Sequence, residues 1–113
     1  MTIAEWIKDV HANARDKGWW EFYMARERAI RELSADQMLS KLMLFVTEIA
    51  EAAECVREPN FDPRAVYTTD DDGERNPYDE LSSGDLKPEG FGTEIADAVI
   101  RIFDFCGAVG IDL

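Results

Sequence analysis

A chain of 113 residues has room for one domain with a modest core, a size at which a subunit interface adds much to the buried area. Its formal charge of −12, from 24 acids against 12 Lys and Arg, argues against a nucleic-acid binder, because gripping phosphates needs clustered cations. No apolar run approaches the roughly 18 residues that cross a membrane, and the N-terminal stretch lacks the apolar block of a secretion signal, so a soluble, cytoplasmic protein is expected. The acids are either a solvated surface or a set gathered around cations. Cys55 and Cys106 lie within separate amphipathic segments, not in a close pair, which predicts reduced thiols filling apolar space and no disulfide or zinc site.

In chain order, the spacing of Ile3, Trp6, Ile7, Val10 and Ala14 predicts a first helix from Thr2 to about Lys17, with Thr2 as its N-cap and Gly18 as its stop. Trp19 and Trp20 follow, and Phe22, Ala25, Ala29, Ile30 and Leu33 trace a second, shorter helix. Ser34-Ala-Asp-Gln37 has the form of a capping box. It predicts a long helix from about Ala35 to Glu58, with an apolar stripe of Met38, Leu42, Phe45, Ile49, Ala52, Ala53 and Val56 and a stop at Pro59. Four prolines and the acidic run Asp70-Asp71-Asp72 lie in or beside residues 59–90, which read as a long loop, either a lid or a disordered segment. A last helix opens near Phe91, carries Ile95, Ala98, Ile102, Phe105 and Val109, and ends around Gly110. The whole reads as all-α, a four-helix bundle in one domain.

Two of these helices carry carboxylates three residues apart, Glu48 with Glu51 and Glu94 with Asp97. At roughly 100° per residue, Glu48 and Glu51 lie about 60° apart on a flank shared with Lys41, Leu44 and Cys55. Glu54 is rotated about 120° from Glu48, toward a solvated side. In the last helix Glu94, Asp97, Arg101 and Asp104 form a polar strip beside the apolar arc. Carboxylates that border a core need cationic partners. Those partners are either Lys and Arg on a facing helix or, with oxygen ligands and no nearby His, a hard cation such as Mg²⁺, with Mn²⁺ as the second choice.

Together, E48-I-A-E51 and E94-I-A-D97 resemble the ExxE…ExxD pattern of the MazG-like all-α nucleoside triphosphate pyrophosphohydrolases. The segments H11-A-N-A-R-D-K-G-W-W20 and K87-P-E-G-F-G-T-E-I-A-D-A-V-I-R101 resemble parts of the same family. The resemblance implies a MazG-like helical bundle completed by oligomerisation, as a homodimer or homotetramer. It implies Mg²⁺-dependent cleavage of a ribo- or deoxyribonucleoside triphosphate to the monophosphate and pyrophosphate, with a housecleaning role for the nucleotide pool.

Carried onto this chain, Glu48, Glu51, Glu94 and Asp97 would hold the metal, and Glu48 and Glu51 would also be catalytic. The base would meet His11, Asn13, Trp19 and Trp20, while Lys41, Lys87 and Arg101 are candidates for the phosphates. The chemistry suits these types, since Mg²⁺ neutralises charge developing on the phosphates and activates water near neutral pH.

Two departures from the family bear on these expectations. Many members have a further Glu where this chain has Thr47, which leaves the general base unassigned. Members often continue into another helix carrying Lys, Asn or Arg, whereas this sequence stops at Leu113, so phosphate contacts are expected from elsewhere or from a partner chain. Two other classes compete: a non-catalytic acidic helical interaction module, and a di-iron protein, disfavoured because the single histidine, His11, is far in sequence from both acidic pairs.

Overall fold

The computed structural model describes residues 1–21, 33–81 and 83–113. Helix α1 spans Ile3–Asp16 and starts with a capping box: Thr2 Oγ1 accepts from the Glu5 N–H at 3.1 Å, and the Glu5 carboxylate accepts from the Thr2 N–H at 2.6 Å. Gly18, at φ +80°, follows its end. Helix α2 spans Ala35–Val56. Its start is also the predicted one, with Gln37 Oε1 2.8 Å from the Ser34 N and Ser34 Oγ 3.2 Å from the Gln37 N. Helix α3 spans Phe91–Val109, and the N–H groups of Gly110 and Ile111 both donate to the Cys106 carbonyl at 2.9 Å to close it.

These are the three helices of the described residues, so the four-helix bundle of the sequence reading is corrected to an all-α fold of three. Each of the three has its own start and stop signals. The short helix expected from Phe22 to Leu33 falls almost wholly outside the described residues. No helix among the described residues is long and apolar enough to cross a membrane.

The expected long loop contains a small antiparallel hairpin, β1 (Tyr67–Thr69) paired with β2 (Arg75–Pro77) in the register Tyr67↔Pro77, Thr68↔Asn76, Thr69↔Arg75. The acidic run builds its turn. Asp70 Oδ1 accepts from the N–H groups of Asp72 at 3.0 Å and Glu74 at 2.8 Å, and Gly73 takes φ +81°. Strands of three residues are too short to show an alternating pattern, which is why the segment reads as loop.

The chain forms two compact units, Met1–Phe45 with Val99–Leu113, and Val46–Ala98. In the first, Ala14, Trp20, Leu33 and Ala108 are buried together, with Met38 and Val109 packed against them. Gly107 lets α3 approach α1, because a Cβ there would fall 2.5 Å from the His11 Cβ. In the second, Phe61 meets Phe91 edge-on at 5.5 Å, Thr68 is buried, and Arg75 grips Glu58 with both terminal nitrogens while lying 4.4 Å from the Tyr67 ring centroid. Tyr67 and Glu89 exchange backbone hydrogen bonds of 3.0 and 2.7 Å, which ties the hairpin to the approach to α3.

The face that α2 turns inward differs from the predicted stripe. Glu48 and Ala52 are buried, and Lys41, Leu44, Phe45 and Cys55 are half-buried, whereas Leu42, Ile49 and Val56 are exposed. On α3 the predicted stripe does turn inward except at Ile95, with Ala98 and Phe105 buried and Phe91, Ile102 and Val109 half-buried, and Glu94 and Asp104 are buried beside it. The acids therefore stand on the inward faces and not only at their edges.

Candidate functional site

In the second unit, α2 contributes Glu48 and Glu51 and α3 contributes Glu94, and one ligand atom of each lies within 4.8 Å of the other two. Glu48 is 6% exposed and Glu94 8%, while Glu51 is exposed. Glu94 Oε2 is buried and has no hydrogen-bond partner among the described residues. Burial, then the hydrogen bond that a protonated Glu94 donates to Glu51 and the Glu51 charge, push the Glu94 carboxyl up to about 7, opposed by the Lys87 ammonium and reinforced by Asp97. A carboxyl driven to hold a proton near neutrality is one that a cation would relieve.

The cluster holds three of the four predicted ligands. Asp97, one turn past Glu94, is half-buried and lies 3.6 Å from the Lys87 Nζ. Lys87 thus meets an acid, as an exposed and weak pair. Glu54 lies outside the cluster, exposed and bonded at 2.8 Å to Arg57, as its rotation on the helix predicts. Thr47 is exposed on α2. Both cysteines are free thiols, their pKa values raised by burial.

Three carboxylates, one of them with an orphaned buried oxygen, are the donor type that a hard divalent cation takes. Octahedral Mg²⁺ at about 2.0–2.1 Å places its ligand oxygens roughly 2.9–4.2 Å apart, so the three carboxylates, within 4.8 Å of one another, would have to draw closer to bind it.

The first unit holds a cavity of about 410 Å³ lined by Trp19, Trp20, Lys41, Arg101, Asp104 and Phe105, with Leu44 and Phe45. This volume is in the range of small-molecule sites. Trp20 is fully buried, and its indole N–H donates to Asp104 Oδ1 at 2.7 Å. Trp19 is 46% exposed. The Lys41 ammonium sits 4.2 Å from the Trp20 ring centroid; its pKa is lowered by burial, with Asp104 opposing and Arg101 adding to the shift. His11 lies outside the lining. Its Nδ1 is 2.7 Å from Asp104 Oδ1, and its ring meets Trp20 edge-on at 5.6 Å. Asn13 is exposed on α1, also outside the lining.

Of the predicted substrate residues, then, Trp19, Trp20, Lys41 and Arg101 share this cavity. The residue that sequence reasoning did not single out is Asp104, 6% exposed, on which His11 and Trp20 converge. Its place in the polar strip of α3 was the available signal.

Compared with protein-family models, curated proteins and solved structures, the chain matches none.

Proposed function

We propose that this chain is a Mg²⁺-dependent nucleoside triphosphate pyrophosphohydrolase of the MazG-like kind, releasing pyrophosphate and leaving the monophosphate. The observation that carries the reading is the convergence of Glu48, Glu51 and Glu94, with a buried Glu94 oxygen that has no hydrogen-bond partner among the described residues. Acids that merely solvate a surface have no reason to be drawn together out of water, where their repulsion rises. The ExxE…ExxD resemblance supplies the reaction.

In this reading Glu48, Glu51 and Glu94 hold the ion, and Asp97, next on the same helix, completes the set. Bound Mg²⁺ would supply neutralisation of phosphate charge and activation of water. Glu51, the exposed acid of the cluster, accepts the proton of the attacking water, the role left open by Thr47. Trp19, Trp20, Lys41 and Arg101 serve the nucleoside, and Lys87 serves the phosphates.

A homodimer or homotetramer belongs to the same reading. On α2 the exposed residues Leu39, Leu42, Val46, Ile49, Ala53 and Val56 recur at alternating steps of three and four, the seam of a helix that packs on another helix.

The test is pyrophosphate release by purified protein with Mg²⁺ across a full panel of ribo- and deoxyribonucleoside triphosphates. Activity on at least one substrate is expected, with Glu51→Gln lowering kcat by at least about 10²-fold while leaving the fold intact. Silence across the panel, with no thermal stabilisation by Mg²⁺, would leave the acidic interaction module as the reading.

A further inference from the structure

Asp104 is a buried carboxylate used on one side only. Its Oδ1 accepts from the Trp20 indole N–H at 2.7 Å and lies 2.7 Å from His11 Nδ1, which must carry the proton to meet a carboxylate. That oxygen's two lone pairs are thereby taken. Its other oxygen, Oδ2, accepts no hydrogen bond among the described residues, and the residue lines the aromatic cavity. Gly107 contributes from behind, since a Cβ there would fall 2.5 Å from the His11 Cβ and 2.9 Å from its Cγ and displace the ring that reaches Asp104.

We propose that Asp104 is the group that selects the base, its Oδ2 accepting from an exocyclic amino group of a nucleobase stacked among the aromatic side chains. This inference rests on the reading of the chain as a nucleotide-binding enzyme and adds the substrate class. Oδ2 presents its lone pairs from one atom, so a planar base edge meets it through one donor position. Cytosine and adenine present an amino donor there, and the acceptor ring nitrogen beside it must lie off the Oδ2 direction. Uracil and hypoxanthine present a carbonyl at the same ring position, which would face the carboxylate lone pairs, and the N–H on their adjacent ring nitrogen reaches Oδ2 only if the base shifts within the stack. Guanine matches a carboxylate best when both of its oxygens are available to its adjacent N–H groups, and here one is already occupied by His11 and Trp20.

A charge-assisted hydrogen bond lost to a mismatched edge is a difference of roughly 10–100-fold. The pocket is therefore selective for cytosine and adenine over uracil and hypoxanthine.

The matched pairs CMP with UMP and AMP with IMP test this by direct binding, read by calorimetry and by tryptophan fluorescence, with no chemistry required. CMP and AMP are expected to bind at least about tenfold more tightly than UMP and IMP. Asp104→Asn is the informative variant. With its carbonyl oxygen still held by His11 and Trp20, its amide NH₂ faces the cavity and should reverse the preference toward UMP and IMP.

Equal affinities within each pair for the wild-type protein would overturn the proposal, as would an unchanged preference in a folded Asp104→Asn. Should that variant fail to fold, the wild-type pairs decide alone. Amino-over-keto binding without pyrophosphate release would sink the hydrolase reading and leave the base assignment standing. Hydrolysis indifferent to the amino group would do the reverse, and no nucleotide binding at all would overturn the assignment.

Discussion

Glu94 shows at the scale of one side chain why the acidic cluster matters. Its carboxyl is pushed up from 4.5 to about 7, chiefly by burial and then by Glu51. The folded protein therefore holds this proton more tightly than the unfolded chain does. The metal-free protein should lose stability as pH rises from about 4.5 through 7 and then level off, a loss on the order of 1–3 kcal/mol. Urea unfolding across that range measures it, and Glu94→Gln should flatten the curve. Mg²⁺ competes with the proton, so its thermal stabilisation of the wild-type protein should be larger at pH 8 than at pH 6. Glu54→Gln should keep that stabilisation, while Gln at position 48, 51 or 94 weakens it; equal losses from all four would refute the cluster as the binding set. Helix rotation made the distinction between Glu48, Glu51 and Glu54 legible in advance. Asp104 was not legible in that way, because its partners lie 93 and 84 residues away in sequence, and only the fold brings them to it.

Among the elements, the helix ends were the most readable features. Thr2, Ser34 with Gln37, and Gly110 act through bonds to neighbours within a few residues, so a local pattern suffices. The hairpin between α2 and α3 was not readable, for its strands are held by pairing and by the Arg75–Glu58 and Tyr67 contacts, not by an alternating stripe. Gly90 fixes how this hairpin leads into α3. At φ +129°, a Cβ there would fall 2.3 Å from the Ala65 carbonyl oxygen. Gly90→Ala should therefore destabilise the protein by about 2 kcal/mol or more, seen as a lower Tm and faster proteolysis between Pro59 and Gly90. A variant as stable as the parent would show that this approach is not fixed by Gly90.

For the molecule as a whole, the exposed apolar seam of α2 is the feature a lone chain leaves unexplained. Ile49 is 52% exposed and Val46 55%, and covering such a seam is what a second copy would do. Sedimentation should give a mass at least twice that of one chain, and Ile49→Lys should shift it toward the monomer with loss of thermal stability. A monomeric wild-type protein would remove the oligomer from the functional reading. By itself, the amino-acid sequence determined the extents of the three helices, the spacing of the acids and the rotation that sets Glu54 apart, because each depends on helical periodicity and on caps acting over a few residues. Tertiary structure decided which face of α2 turns inward, and that acids of α3 are buried beside its apolar stripe. Periodicity reports that two arcs differ in polarity, but whether the apolar or the acidic arc is buried depends on what each helix packs against, so Glu48, Glu94 and Asp104 became interior residues only once the chain had folded.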